Sequence, residues 1–261
     1  MIFSSENGLG CYQFEHLAAY GQIRHAVFPR TLGASRAPFH RLNVSFSVGD
    51  DPAHVRANRD RVRRSLQAAE LVFVHQVHGD GVRVVDDLSD ARTQPPADAM
   101  VSALPAQALT VQVADCQPIL YYDPQRRVVA AAHSGWRGSL AGVAVRTLEV
   151  MAARFGCSAR DVLVGIGPSL GPCCAEFRNY RDEIPSSLWG YRRGAAHFDF
   201  WAVTRDQLIG AGVPAAHIEN SGMCTKCRTD RFFSYRGERT TGRFPAAIVL
   251  RPGEERATKY K

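Results

Sequence analysis

The sequence has no hydrophobic run long enough to cross a membrane, no internal repeat and no low-complexity tract. Its N-terminus has neither the basic region nor the apolar region of a secretion signal. The glycine-rich stretch at residues 165–171 lacks the Gly-Lys-Ser/Thr ending of a phosphate-binding P-loop. We therefore expect a cytoplasmic protein without a membrane partner that does not bind nucleotides through a P-loop.

The net charge and the cysteine content limit the classes of protein to which the chain can belong. The net charge of +7 raises the possibility of nucleic-acid binding, but the arginines are spread along the chain. The densest cluster, Arg56 to Arg64, alternates with Val55 and Val62 and is typical of a solvated helix face. We predict no nucleic-acid partner, although a basic protein attracts anions such as phosphate. Seven cysteines, an odd number, argue against a disulfide framework in a reducing compartment.

Apolar runs bounded by turn residues predict the secondary structure. Strands are expected at residues 71–74, 81–85, 109–113, 118–122, 128–132, 162–166 and 246–250, with shorter apolar segments at 23–28 and near Ile218. Helices are expected at residues 52–70, 135–155 and 200–211. Because strands and helices alternate without a regular βαβ repeat, we predict the α+β class. The predicted architecture is a single domain over residues 1–261, with a mixed β-sheet and flanking helices.

Three segments carry the strongest chemical signal. His78 follows the strand predicted at 71–74, Cys116 follows the strand at 109–113, and His133 ends the strand at 128–132. Two imidazoles and a thiolate form a ligand set that suits zinc and leaves a fourth position for water or substrate. The neighbouring Asp115 is interpreted as an orienting carboxylate, as an acid or base, or as a partner in a turn.

The same residues allow other chemistry. Cys116 with His133 also fits the nucleophile and base of a thiol amidase, since both roles need a thiolate. A copper oxidase is the weakest alternative, because no methionine and no His-x-His pair accompanies the three segments. Cys173, Cys174, Cys224 and Cys227 could form a four-cysteine zinc site. Adjacent cysteines rarely chelate one metal, however, so we do not favour it.

Several residues beside polar loops are candidates for substrate contacts. Arg30, Arg137 and Arg243 carry guanidinium groups that could bind phosphate or a carboxylate, although each taken alone is better explained as a surface arginine. Trp136 could stack on a purine or pack beneath the site.

Taken together, these segments resemble the laccase-domain family, also known as YfiH-type purine nucleoside phosphorylases or peptidoglycan editing factors. The resemblance runs in order over residues 30–250. The segments that carry it are Gln76-Val77-His78-Gly79, Ala97-Asp98-Ala99, Ala114-Asp115-Cys116-Gln117-Pro118, Ala132-His133-Ser134-Gly135-Trp136-Arg137-Gly138, Gly167-Pro168-Ser169-Leu170-Gly171, Ser234-Tyr235-Arg236 and Thr241-Gly242-Arg243.

The resemblance implies a zinc ion held by His78, Cys116 and His133. It also implies phosphorolysis of adenosine, inosine and S-methyl-5'-thioadenosine, with adenosine deamination as a further activity. Substrate contacts are expected from Arg30, Asn43 and Arg137, and the expected partners are a purine nucleoside and phosphate, bound by a monomer. Some relatives remove wrongly incorporated serine from peptidoglycan precursors, which corresponds to the amidase alternative.

Two segments depart from the family pattern. The early loop, usually Thr-Arg-x-Gly-Gly-Val-Ser, here keeps Arg30 but only one glycine, Gly33. The usual Ser-Tyr-Arg-Arg ends in Gly237. The metal ligands are intact, so these changes bear on substrate preference rather than on the chemistry.

Overall fold

The computed structural model describes residues 1–6, 8–87 and 94–252. Residue 7 and residues 88–93 and 253–261, which belong to the predicted single domain, lie outside the described residues. Strands and helices are numbered below in chain order. Of the helices that the described residues form, three are longer than eight residues: α2 (Pro52–Leu66), α4 (Val143–Phe155) and α6 (Phe200–Gly210). The shorter ones are α1 (Glu15–Ala18), α3 (Trp136–Ala141), α5 (Tyr180–Glu183) and α7 (Tyr235–Glu238).

Two six-stranded sheets organise the described part of the chain, and both are mixed. The first has the order β1-β2-β3-β14-β7-β4 and comprises β1 (Ile2–Glu6), β2 (Leu9–Gln13), β3 (Ile23–Val27), β4 (Glu70–Val72), β7 (Gln107–Val113) and β14 (Phe244–Leu250). The second has the order β13-β10-β8-β9-β6-β5 and comprises β5 (Val82–Val84), β6 (Ala99–Ser102), β8 (Gln117–Asp123), β9 (Val128–Ser134), β10 (Leu163–Ile166) and β13 (Ile218–Asn220). A two-stranded ribbon, β11 (Arg192–Arg193) with β12 (His197–Phe198), stands apart.

The core is layered in the order helix, sheet, sheet, helix. Between the sheets, Val111 of β7 and Ile248 of β14 share one apolar cluster with Leu120 of β8. Successive side chains of a strand point to opposite faces, so Tyr121 of β8 lies on the other side of its sheet, with Met151 of α4. Helix α2 covers the outer face of the first sheet in the same way. The predicted α+β class, with mixed sheets and flanking helices, is confirmed.

Two predicted helices end differently in the structure. The helix predicted at 52–70 ends at Leu66, because Gln67 adopts a left-handed conformation with φ 51° and its N–H bonds to the carbonyl of Arg63. The helix predicted at 135–155 is two helices, since Gly142 with φ 79° ends α3 and begins α4. Glycine tolerates a left-handed φ without steric cost, which explains why the break falls there.

The arginines of α2 do more than face solvent. Arg63 and Arg64 pair with Asp60 at 2.9 Å and 2.8 Å. Arg59 instead turns inward, with its guanidinium 3.9 Å from the centre of the Phe73 ring and bonded to the carbonyl of Val44. The predicted solvated face is therefore only part of the role of this cluster. No helix within the described ranges has both the length and the apolar character that crossing a membrane requires.

Candidate metal centre and active-site cavity

The two sheets bring the three predicted metal ligands together. His78 lies in the loop after β4 of the first sheet, and His133 belongs to β9 of the second. Cys116 lies in the short connection from β7 to β8, where the chain passes from one sheet to the other. The ligand atoms of the three side chains all lie within 4.8 Å of one another. The exposure of the three side chains is graded, since His133 is buried, Cys116 is half-buried and His78 is exposed.

Asp98, just before β6, holds two of these ligands in place. One carboxylate oxygen is 2.8 Å from Nδ1 of His133 and accepts the backbone N–H of His78 at 2.9 Å. The other oxygen accepts the N–H groups of Val77 and Gly79. Because Nδ1 of His133 is engaged, Nε2 is the ring nitrogen available to a metal or to Cys116.

The backbone at His78 is held in an uncommon conformation. Its φ is 64°, in the left-handed region that non-glycine residues rarely adopt. The three N–H groups that Asp98 accepts stabilise this turn and direct the imidazole toward Cys116. Gly135 makes the approach possible, since a Cβ there would lie 3.0 Å from both the Cys116 sulfur and the His78 ring. A strained residue fixed by a buried carboxylate is typical of a functional site.

The electrostatics favour a thiolate beside an imidazolium. Burial alone would raise the pKa of the Cys116 thiol, but the charges and hydrogen bonds of His133 and His78 lower the pKa to about 6. Burial likewise opposes the charge of His133, yet the Cys116 thiolate and the Asp98 carboxylate raise its pKa to about 9. A thiolate is the form of cysteine that both a metal and an electrophile require.

A cavity of about 600 Å³ opens beside the three ligands. Its walls combine aromatic side chains with cationic and polar ones: Ser45, Ser47, Gln76, Gln112, Gln117, Ser134, Trp136, Arg137, Phe177, Phe200, Tyr235, Arg236 and Arg243. Trp136 packs edge-on against Phe177. The Arg137 guanidinium lies over the Trp136 ring, 4.2 Å from the ring centre. Trp136 therefore both packs on its neighbour and lines the cavity.

Of the predicted substrate residues, Arg137 lies on this cavity and Arg30 and Asn43 do not. Arg30 is buried in a separate pocket, where its guanidinium pairs with Glu238 at 2.8 Å and lies over the Phe233 ring. Asn43 is fully buried, and its side-chain oxygen accepts the backbone N–H of Arg243 at 2.9 Å. Asn43 thus acts on the cavity indirectly, through the position of Arg243 and through Ser45, with whose backbone it exchanges two hydrogen bonds.

Asp115 takes the third of its predicted roles. It accepts the hydroxyls of Thr225 and Ser234 at 2.6 Å and 2.7 Å and the backbone N–H of Arg236 at 2.6 Å. No bond to an imidazole is seen for it within the described chain. Asp115 ties the Cys116 connection to the loop of Thr225 and to the start of α7, which carries Tyr235 and Arg236.

Sequence reasoning named Asp98 as part of a motif but gave it no role. The available signal was a carboxylate directly before four buried strand residues, where an unpaired charge would be costly. Gln76 was also passed over as a positioning residue. Its amide exchanges two hydrogen bonds of 2.9 Å with the backbone of Gln112 and so fixes the start of the His78 loop.

Comparison with known proteins agrees with this fold. The family model described as "Multi-copper polyphenol oxidoreductase laccase" matches residues 24–251. A protein of Pseudomonas aeruginosa named purine nucleoside phosphorylase is 37% identical over 241 residues, which is 89% of this chain and 95% of that one. A Streptomyces griseus protein with the same name is 38% identical over 238 residues, 88% of this chain and 95% of that one.

Solved structures show the same likeness. YlmD from Geobacillus stearothermophilus superposes with a TM-score of 0.85 at 32% identity, covering 96% of this chain and 99% of that one. YfiH from Bacillus licheniformis gives 0.82 at 30% identity, covering 88% and 93%. The fold and site define a laccase-domain protein with a candidate His-Cys-His metal centre. The chain belongs to this family, whose curated relatives are named purine nucleoside phosphorylases.

Proposed function

We propose that the protein is a zinc-dependent purine nucleoside phosphorylase acting on adenosine, inosine and S-methyl-5'-thioadenosine, with adenosine deamination as a side activity. The observation that carries the proposal is the convergence of His78, Cys116 and His133 on a cavity with aromatic and cationic walls. Relatives that cover most of both chains and are named purine nucleoside phosphorylases support it.

The donor set fits zinc. Two imidazoles and one thiolate match the ligands of catalytic zinc sites, and the fixed Nδ1 of His133 leaves Nε2 to bind. A zinc ion held there would supply a Lewis acid that polarises an oxygen or activates water for deamination. A zinc ion would itself hold Cys116 as a thiolate, because a thiol that coordinates a metal ion is deprotonated.

The cavity walls suit the two substrates of phosphorolysis. Arg137 is exposed and makes no hydrogen bond or ion pair among the described residues. Its guanidinium lies over the Trp136 ring, so its N–H groups are free to bind phosphate. Tyr235 is 52% exposed on the same cavity, and with Trp136 it offers aromatic surface for the purine. Phosphate attack at C1' of the ribose forms the new C–O bond as the bond to the base nitrogen breaks, and the base leaves with a proton from solvent.

A specific observation also supports the second candidate, a cysteine amidase acting on L-Ser-containing peptidoglycan precursors. Asp98, His133 and Cys116 form the carboxylate, imidazole and thiol sequence of a cysteine hydrolase. In that reaction Cys116 would attack the amide carbonyl, and His133 would pass a proton to the departing amine. A copper oxidase is not favoured, because the cavity described here has no methionine in its walls.

The test is adenine release from adenosine by purified protein, with and without phosphate. We expect phosphate-dependent release that Cys116→Ala and His133→Ala abolish together with metal binding at this site. Cys157→Ala, a thiol in the outer core, serves as the control. Arg137→Gln should raise the KM for phosphate with a smaller effect on kcat.

Full activity of a metal-free Cys116→Ala protein would end the phosphorylase proposal. No release from a zinc-loaded wild-type protein, together with trapping of Cys116 by an electrophile in protein without zinc, would favour the amidase instead. Turnover of the precursor that persists after such alkylation would rule the amidase out.

A further inference from the structure

Four cysteines that have no part in the cavity meet at the surface of the protein. Cys173 and Cys174 lie in the turn after β10, and Cys224 and Cys227 lie in the loop after β13. Their four sulfur atoms all lie within 4.8 Å of one another. The two pairs are about fifty residues apart in sequence, with Cys173 and Cys227 separated by 54 positions, so the meeting is a product of the fold.

The sulfur spacing matches a metal-thiolate site. The Cys227 sulfur is 3.6 Å from the sulfurs of both Cys173 and Cys174. Four sulfurs placed about 2.3 Å from a tetrahedral zinc are about 3.8 Å from one another. A disulfide would need two sulfurs at about 2.05 Å, so these two pairs are not disulfides, and their spacing fits ligands around one ion.

The turn removes the objection that adjacent cysteines chelate one metal poorly. The carbonyl of Gly171 accepts the N–H groups of both Cys174 and Ala175, at 2.9 Å and 3.0 Å, which closes a tight turn. In that turn the sulfurs of Cys173 and Cys174 both lie 3.6 Å from the sulfur of Cys227. In an extended strand the side chains of two adjacent cysteines would instead point to opposite sides.

The loops are also fixed to each other independently of the sulfurs. Ser169 forms a bridge with Cys224, and its carbonyl accepts the N–H of Thr225 at 3.0 Å. The N–H of Gly171 points at the Cys224 sulfur, 3.3 Å away. An N–H donor of this kind offsets the negative charge that a bound thiolate carries.

We propose that Cys173, Cys174, Cys224 and Cys227 hold one zinc ion in a closed four-thiolate site with a structural role. Each thiol would release its proton to solvent on binding. Four protein ligands leave no open position, which distinguishes this site from the three-ligand centre of the cavity. The ion would join the loop of Leu170 and Ala175, two cavity residues, to the loop of Thr225, which bonds to Asp115.

The test is the zinc content of the full-length protein, measured by elemental analysis. We expect about two zinc ions per wild-type chain and about one in Cys173→Ser/Cys227→Ser. His133→Ala should also keep about one ion, which then belongs to the four-cysteine site. Cys157→Ser is the matched control and should keep both. Zinc content at the four-cysteine site is measured without an activity assay. A protein without phosphorylase activity would therefore still test this proposal.

Cobalt substitution of His133→Ala gives a second readout that needs no cysteine variant. A tetrathiolate site should produce the strong visible absorption of tetrahedral cobalt and the ultraviolet charge-transfer bands of sulfur ligands. The proposal is overturned if Cys173→Ser/Cys227→Ser retains as much zinc as the wild type. Iron in place of zinc, or a disulfide among the four residues in the alkylated denatured protein, would overturn it as well.

Discussion

At the scale of single residues, Asp98 has the widest influence on the site. Its two oxygens accept three backbone N–H groups and meet Nδ1 of His133, all from a fully buried position. In Asp98→Asn the amide NH₂ would replace one oxygen and face both of the groups that this oxygen now engages. We expect zinc affinity at the cavity and phosphorolysis to fall by about 10- to 100-fold, the usual effect of losing a partner of a metal-bound histidine.

The measurement is competition with a chelator, followed by the kcat/KM of adenosine phosphorolysis. Asp86→Asn is the control, because Asp86 is an exposed carboxylate that meets Arg154 at 3.6 Å. If Asp98→Asn retained metal and activity as well as Asp86→Asn does, the carboxylate would have no positioning role.

His25 gives a prediction about stability and pH. Burial lowers its pKa from 6.5 to about 3, with the nearby charge of His16 acting in the same direction. Its Nε2 accepts the N–H of Phe14 at 2.8 Å, and its ring stacks on that phenylalanine. Between pH 6.5 and about 3 the unfolded chain binds a proton here that the folded chain does not. Stability therefore falls as the pH is lowered, by at most on the order of 5 kcal/mol at this residue.

His25→Gln should flatten this acid dependence, although the variant loses the stacking and is less stable at neutral pH. The free energy of unfolding by urea, measured from neutral pH downwards, gives the slope. His54→Gln, on the surface of α2, should keep the wild-type slope. An unchanged slope in His25→Gln would assign the acid sensitivity to other groups, such as Glu219, whose pKa burial alone would raise but the hydrogen bonds of the N-terminal ammonium and His16 lower.

At the scale of elements, the early loop is fixed to α2 by one buried amide. Asn58 accepts the N–H of Ala34 and donates to the carbonyls of Arg41 and Asn43. The chain at residues 30–35 is therefore pressed against residues 41–43. At the contact, a Cβ on Gly33 would overlap the carbonyl oxygen of Arg41. This explains why the single glycine kept from the family pattern is the one at position 33.

Gly33→Ala should thus destabilise the protein by roughly 1–3 kcal/mol or more, since a backbone group has little freedom to move aside. The displacement would pass through Asn43 to Arg243, and substrate binding should weaken as well. Thermal unfolding and the KM for adenosine are the two measurements. Gly21→Ala, where a Cβ meets nothing within 4 Å, should be close to neutral. Equal stability of the two variants would show that the loop adapts.

The sequence predicted those elements whose own residues determine them. The long apolar strands β7, β8, β9 and β14 were found to within two residues, because their burial leaves a continuous apolar run. The short strand β6 was not predicted, since its pairing depends on a distant partner, β9. The hairpin of β1 and β2 pairs locally, but β1 has no continuous apolar run that would mark it as a strand. Helix ends were wrong where one residue, Gln67 or Gly142, turned left-handed.

The same division holds for the candidate site. The three ligands could be named from residue type and position after strands. Asp98 and Gln76 act through backbone groups that only the folded chain places beside them. The four cysteines were undervalued, because the tight turn at Gly171 is not evident from their spacing.

At the scale of the whole molecule, the two proposed metal sites act on the same joint between the sheets. His78 belongs to the first sheet's side and His133 to the second, while Cys116 lies on the crossing between them. The four-cysteine site joins two loops that both contact Asp115, the residue before Cys116. The carboxylate of Asp115 accepts the Thr225 hydroxyl, and its backbone carbonyl accepts the Leu170 N–H at 2.8 Å. An ion that binds only the folded protein stabilises it, by about 2.7 kcal/mol at a hundredfold excess over Kd.

We therefore expect zinc to raise the Tm of the wild type, and the two sites to support each other. His133→Ala and Cys173→Ser/Cys227→Ser should each lose part of this rise, and the combined variant should lose all of it. Each site orders the segment that the other binds. The stabilisation by zinc that is lost in His133→Ala and the stabilisation lost in Cys173→Ser/Cys227→Ser should therefore add up to more than the whole stabilisation of the wild type. The excess should be larger than the roughly 0.5 kcal/mol within which the effects of independent sites add. Thermal unfolding of the four proteins, with zinc and with chelator, measures this. Losses that simply add up to the wild-type rise would show that the Asp115 contacts transmit nothing between the sites.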